Sequence, residues 1–447
     1  MTLRFGTDGV RGVANRELTP ELVTALGRAA ARLLGAAAPF VVGRDTRRSG
    51  PMLEAALTAG ICGEGAGVEL AGVLPTPGVA HLAQVRGAPG AVISASHNPF
   101  ADNGVKLLAP GGRKLSDQEE AQVEAELRAL ASAAPSDGPD GTGVGVVRRL
   151  TGAHDEYVAH LVASARGHRL DGMRVVVDCG NGAAFLAAPR ALTELGATVD
   201  ARSDRPDGTN INAGCGATDP KALQAWVRET GADAGLALDG DADRVIAVDE
   251  RGEVVDGDQI LAVLALDLHA RGDLPGPAIV ATVMSNLGLR QALGARGIEV
   301  IETPVGDRAV LAALQADGLR LGGEQSGHIV RTDLATTGDG TLTSILLLDA
   351  LARARRPLSE LAAIVTRLPQ VLRNVPVGGG GRVDTSDRLW DEVAAVEREL
   401  NGTGRVLVRA SGTEPVVRVM VEAPTEEQAE AIAERVSRAV ESATLGP

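Results

Sequence analysis

Short apolar runs rich in Val, Ile and Leu alternate along this chain with Ala-rich segments whose apolar residues recur at helical spacing. A strand covered on both faces reads as a continuous apolar run, and the helix that covers it reads as a one-sided stripe. The alternation therefore predicts βα units and an α/β fold with a mostly parallel sheet. Strands are predicted at 40–42, 68–74, 91–93, 174–178, 235–238, 278–283 and 299–301, with helices between them. Ser116 followed by Glu119, and Thr425 followed by Gln428, are capping-box starts. Residues 133–145 have the Pro/Gly/Ser/Asp content of an exposed connection. Residues 244–255 read as a hairpin turning at Glu250-Arg251-Gly252, and 258–268 as a helix. After the Gly378 to Gly381 run, alternation in 405–408 and 416–421 followed by one amphipathic helix predicts a small mixed unit. A length of 447 residues suits four units, placed at 1–150, 151–256, 257–367 and 368–447.

Charge narrows the function. With 44 Lys+Arg against 58 Asp+Glu, a net charge of -14 and 2% aromatics, the chain lacks the clustered bases and stacking rings of a nucleic-acid surface. Lys occurs only as Lys106, Lys114 and Lys221. Arg4, Asp8 and Arg11 interrupt any apolar leader, and the apolar stretch 260–268 is too short for a bilayer and contains Asp267, so a cytoplasmic protein without a membrane role is expected. Cys62, Cys179 and Cys215 are odd in number and show no CxxC spacing, which suits buried or idle thiols.

Four loops, each after a strand-like run, carry chemistry: Ser94-Ala95-Ser96-His97-Asn98-Pro99, Asp239-Gly240-Asp241-Ala242-Asp243-Arg244, 322–328 (Gly-Gly-Glu-Gln-Ser-Gly-His) and 409–415 (Arg-Ala-Ser-Gly-Thr-Glu-Pro). Ligands of open α/β sheets sit beyond the carboxyl ends of strands, so the loops can share one cleft. Carboxylates at i, i+2 and i+4 suit a small hard cation, Mg²⁺ first, with Mn²⁺ or Ca²⁺ as alternatives and a solvated acidic turn as the plain reading. Arg244 is then placed to hold a metal-bound phosphate. Ser96 reads either as an exposed nucleophile or, with Ser94, as a turn cap. Arg409, Ser411, Gly412, Thr413 and Arg418 form a phosphate cradle or an ordinary hairpin turn. Glu324 and Ser326 suit sugar hydroxyls, and His328 is a proton carrier or a packed histidine.

Taken in order, with 4–12 (Arg-Phe-Gly-Thr-Asp-Gly-Val-Arg-Gly), Gly43-Arg44-Asp45-Thr46-Arg47, Cys215-Gly216-Ala217-Thr218-Asp219 and Thr303-Pro304-Val305-Gly306-Asp307-Arg308, these loops resemble the α-D-phosphohexomutase superfamily over essentially the whole chain. Gln325 resembles the branch that works on glucosamine phosphates; Ala309 departs from it, since Tyr is usual there. The resemblance implies three related α/β domains with mixed sheets and a small α+β C-terminal domain around a central cleft. It implies a phosphoserine at Ser96, Mg²⁺ held by Ser96, Asp239, Asp241 and Asp243, and interconversion of glucosamine 6-phosphate and glucosamine 1-phosphate through a 1,6-bisphosphate, feeding UDP-N-acetylglucosamine and cell-wall synthesis. It gives Ser96, Lys106, His328 and Arg11 catalytic parts, and Arg244, Thr303, Gly306, Glu324, Ser326, Arg409, Ser411, Gly412, Thr413 and Arg418 the substrate. A hexose 1,6-bisphosphate is the expected activator, sugar phosphates are the expected partners, and a homodimer is compatible with the sequence. A phosphomannomutase or phosphoglucomutase, a Mg²⁺-dependent phosphatase and a non-catalytic sugar-phosphate sensor are the competing readings; product identity and turnover separate them.

Overall fold

The computed structural model describes residues 9–35, 38–132, 138–376, 387–410 and 416–444. The chain forms two compact units, one of residues 1–284 with 298–364 and a smaller one of 285–297 with 365–447.

The larger unit holds three mixed sheets. In the first, the strands run Val10–Val13, Asp102–Ala109, Gly90–Ile93, Phe40–Arg44, Val68–Val73, Val147–Arg149, with Arg113–Lys114 beside Asp102–Ala109. Gly90–Ile93 through Val147–Arg149 are parallel, and the two strands at the other edge are antiparallel. The central strands are apolar and buried on both faces, as the continuous runs predict. Helices Pro20–Leu34, Gly50–Gly63 and Asp117–Ser132 bury Leu26, Leu57, Ile61 and Val123 against this sheet. The second sheet runs Val254–Val255, Val245–Asp249, Ala234–Leu238, Arg174–Asp178, Thr198–Arg202, and the third Glu299–Thr303, Ala278–Thr282, Leu321–Gly323, Ile329–Arg331. Their parallel strands end in the loops of interest. The smaller unit is an antiparallel sheet, Gln370–Pro376, Val416–Glu422, Arg405–Ala410, with helices Asp387–Leu400 and Glu426–Thr444.

Every strand predicted from the apolar runs is present within one or two residues, and the 244–255 hairpin forms. Glu119 N–H donates to Ser116 Oγ at 3.3 Å and Ser116 N–H to Glu119 Oε2 at 2.8 Å, completing that capping box; Gln428 N–H reaches Thr425 Oγ1 at 3.2 Å. The apolar runs do not single out strands Val10–Val13, Asp102–Ala109, Arg113–Lys114, Val147–Arg149, Thr198–Arg202, Ile329–Arg331 and Gln370–Pro376 or helix Asp387–Leu400. Gln370–Pro376 buries only Val375, so its alternation is faint. The three cysteines are buried and free, and no helix among the described residues is long and apolar enough to cross a membrane.

Away from the loops, the imidazoles of His81 and His160 stack with centroids 3.9 Å apart. Burial, then the charge of His160, pulls His81 down to about 4. The fold thus favours the neutral ring: its contribution is complete above pH 6.5 and is lost as pH falls toward 4. Calorimetry should show a melting temperature that drops through this window in the wild type and drops less in His81→Gln; equal slopes would remove the pair from the acid response.

Candidate active site

Ser96 follows the buried strand Gly90–Ile93 and is itself 1% exposed. Its φ is +50°, a left-handed backbone that costs a non-glycine residue energy and persists only where neighbours enforce it. Those neighbours are visible. Ser94 Oγ accepts the Ser96 N–H at 3.0 Å, so Ser94 is the turn cap and Ser96 the presented hydroxyl. Arg47, fully buried and ion-paired with Asp45, donates to the carbonyls of Ser96 at 3.3 Å and Asn98 at 2.6 Å. Asn212 Nδ2 reaches the same two carbonyls at 3.0 and 3.3 Å. Gly240 lets the second loop close on the first, because a Cβ there would stand 2.5 Å from Ser96 O.

Ser96 Oγ donates to Asp239 Oδ2 at 2.6 Å. Asp239, Asp241 and Asp243 are buried, and each offers an oxygen within 4.8 Å of the others'. Lys106, on Asp102–Ala109, donates to Oδ2 of Asp241 at 2.7 Å and of Asp243 at 3.3 Å, and Thr76 Oγ1 also donates to Asp241 Oδ2, at 2.5 Å. Oδ1 of Asp241 and Oδ1 of Asp243 are buried with no hydrogen bond among the described residues. Orphaned carboxylate oxygens are costly, and two of them beside Asp239 fit a small hard cation. The electrostatics agree. Burial, then the charges of Asp243 and Asp241, push the Asp239 carboxyl well above its ordinary value. Burial would raise Asp241 too, but the Lys106 ammonium outweighs it and holds that carboxyl low. Arg244 gives its backbone N–H to Asp239 Oδ1 at 3.2 Å, with its guanidinium Nε 3.8 Å from Asp243. Arg11, on the edge strand Val10–Val13, reaches Asn98 Oδ1 at 3.4 Å, and His97 Nδ1 lies 3.3 Å from Ser96 Oγ.

The third loop leaves Leu321–Gly323. Glu324 Oε1 accepts the Gly306 N–H at 3.1 Å, joining two of the predicted sugar-side residues, while Thr303 Oγ1 points back to the Pro304 carbonyl at 3.1 Å. Ser326 is exposed and Gln325 half-buried. His328 is buried, which lowers its basicity. Val245 N–H donates to Gly327 O at 3.1 Å, tying this loop to the strand that follows the carboxylates. Gly340 completes the knot: its Cβ would stand 2.3 Å from Arg244 O.

In the smaller unit Arg409 and Arg418 face each other across antiparallel strands. Burial, then the charge of Arg418, lowers Arg409. Like charges directly opposite are unfavourable unless an anion joins them, and a phosphate dianion is such an anion. Ser411, Gly412 and Thr413 lie outside the described residues. Thr76, Arg47 and Asn212 were given no role from sequence. They act on backbone or on a distant carboxylate, and only the prolines beside Thr76 single out its segment.

The chain matches the phosphoglucomutase/phosphomannomutase family at its alpha/beta/alpha domain I over residues 2–134, domain II over 155–252, domain III over 256–368 and C-terminal domain over 372–439. It is 55% identical over 444 residues to a phosphoglucosamine mutase of Acidothermus cellulolyticus, covering 98% of this chain and 95% of that one. It is 54% identical over 428 residues to a phosphoglucosamine mutase of Symbiobacterium thermophilum, covering 94% and 95%. Among solved structures, a phosphoglucomutase/phosphomannomutase family protein of Burkholderia thailandensis superposes with a TM-score of 0.82 at 27% identity over 98% of both chains. The N-acetylphosphoglucosamine mutase of Aspergillus fumigatus, in complex with GlcNAc-6P and magnesium, gives 0.71 at 20% identity over 99% and 96%, a likeness of fold.

Proposed function

The chain belongs to the phosphoglucomutase/phosphomannomutase family and is an isomerase of phosphosugars, and from that premise we propose that it interconverts glucosamine 6-phosphate and glucosamine 1-phosphate. The observation that carries the reading is the buried Ser96 hydroxyl, held in a left-handed backbone 2.6 Å from a cluster of three carboxylates. Relatives 53–55% identical over nearly the whole chain bear the name phosphoglucosamine mutase, which supports the choice of sugar.

In this reading Ser96 carries a phosphoryl group. Sugar O1 attacks its phosphorus, the Ser96 Oγ–P bond breaks, the O1 proton ends on Ser96 Oγ, and glucosamine 1,6-bisphosphate forms. After the sugar turns, Ser96 Oγ attacks the phosphorus on O6, the O6–P bond breaks, the serine proton ends on O6, and glucosamine 1-phosphate leaves. Asp239, Asp241 and Asp243, with the Ser96 oxygen, would hold one Mg²⁺, which supplies positive charge at the transferring group. Lys106 and Arg244 bring fixed cations to the same place, and burial of Ser96 keeps water from the phosphoserine. Arg11 steadies the serine loop through Asn98. Glu324, Ser326, Thr303 and Gly306 take the sugar side. Arg409 and Arg418, with Ser411, Gly412 and Thr413, take the phosphate that is not being transferred. A hexose 1,6-bisphosphate primes Ser96, and the segments 1–150, 151–256, 257–367 and 368–447 carry the four loops. A cytoplasmic homodimer supplying UDP-N-acetylglucosamine goes with this reading.

The test is ³¹P NMR of the protein with glucosamine 6-phosphate, Mg²⁺ and a trace of hexose 1,6-bisphosphate, beside the glucose and mannose phosphates. A glucosamine 1-phosphate signal should grow fastest, stop with EDTA and resume with excess Mg²⁺. Accumulating free phosphate would identify a phosphatase, and faster turnover of another hexose would move the substrate assignment.

A further inference from the structure

Tyr157 is the single tyrosine of the chain and is fully buried in helix Ala153–Ser164. Gly78 packs against its ring: a Cβ there would stand 3.2 Å from two ring carbons. A buried phenol must place its O–H. Tyr157 Oη lies 3.0 and 2.9 Å from the two carboxylate oxygens of Asp339, which is equally buried. Asp339 Oδ1 also accepts the Leu342 N–H at 2.9 Å and so caps helix Gly340–Ala354.

The pair fixes a turn with two outgoing N–H groups. Gly340 N–H donates at 2.9 Å to the carbonyl of Ala242, the residue between Asp241 and Asp243, whose φ is +55°. Gly338 N–H donates at 3.2 Å to His328 Nε2. A Cβ at Gly338 would stand 2.2 Å from His328 Cδ2, so glycine is what allows this approach. A ring nitrogen that accepts a backbone N–H carries a lone pair there, not a proton. Asp307 Oδ2 is 3.9 Å from the same nitrogen, outside hydrogen-bond range, and does not compete. With the lone pair on Nε2, the one proton of the ring sits on Nδ1, and burial, which lowers the basicity of the ring, favours that neutral form.

We infer that Tyr157 and Asp339 are positioning residues: by fixing the turn at 338–340 they hold His328 as a neutral Nδ1–H donor and clamp the middle of the carboxylate loop. His328 then gives a hydrogen bond rather than taking a proton. This deepens the isomerase reading above and rests on it for the activity arm of the test.

The tautomer is read by long-range ¹H–¹⁵N correlation on protein labelled with ¹⁵N-histidine, with the His328 signals identified by their loss in His328→Asn. The wild type should show Nδ1–H. Tyr157→Phe should shift His328 toward Nε2–H and lower kcat about tenfold on whichever hexose phosphate is turned over, with KM within about twofold. Asn places an amide nitrogen near the Nδ1 position and Gln near Nε2, so His328→Asn should retain at least about tenfold more activity than His328→Gln. An Nε2–H signal in the wild type overturns the inference. So does Tyr157→Phe with unchanged tautomer and kcat but a lower melting temperature, or His328→Gln matching His328→Asn. The resonances need no substrate, so absent turnover of glucosamine 6-phosphate would sink the functional reading while the tautomer is still decided.

Discussion

Replacing Ser96 with alanine is expected to lower kcat by at least about 10⁴-fold, because in the proposed scheme the substitution removes the atom that carries the phosphoryl group between sugar positions. The fold should survive. Alanine keeps the Cβ at the strained φ and leaves the side-chain donors of Arg47 and Asn212 with their backbone carbonyl acceptors. What is lost is the hydrogen bond to Asp239 and the longer one to His97, a change of about 1–2 kcal/mol. Steady-state rates, circular dichroism and mass spectrometry of the Ser96 peptide check this together. A variant with near-normal rate, or a wild type that never carries phosphate at Ser96 during turnover, would remove the phosphoserine scheme.

The largest structural effect is expected from Arg47→Met. Arg47 is the largest fully buried side chain among the described residues and satisfies three acceptors: Asp45 and the carbonyls of Ser96 and Asn98. Methionine fills much of the volume but strands a buried carboxylate, so stability should fall by about 3–5 kcal/mol. Adding Asp45→Asn removes the stranded charge and should recover much of the melting temperature. It should not recover activity, because the carbonyls of Ser96 and Asn98, which hold the left-handed turn, lose their Arg47 donor and keep Asn212 alone. Recovery of both would mean that Arg47 serves stability alone.

Much of this site is legible in sequence because its chemistry is carried by closely spaced residues. Asp239, Asp241 and Asp243 declare themselves by spacing, and Ser96 by its turn before Pro99. The parallel strands declare themselves because burial on both faces leaves uninterrupted Val, Ile and Ala. The clamps are invisible for the opposite reason. Thr76 reaches Asp241 across 165 positions, and Asn212 reaches Ser96 across 116. Strand Asp102–Ala109 escapes the pattern because Asp102, Asn103 and Lys106 break its apolar run: Asn103 is tied to Ser49, and Lys106 to the carboxylates. Helix Asp387–Leu400 does carry its signal in sequence, a stripe of Leu389, Val393, Val396 and Leu400 at helical spacing.

Gly240, Gly338 and Gly340 each bring a chain segment so close to a neighbour that one added carbon would overlap it. The consequence is for how such a protein can diverge. The serine, carboxylate and histidine loops fit only as a set, so none can drift in backbone without the others moving in concert. Under the proposed function, variation in sugar preference is left to side chains outside that interlock, such as half-buried Gln325 and exposed Ser326. Selection can retune the ligand there while the phosphoryl-handling loops are inherited unchanged.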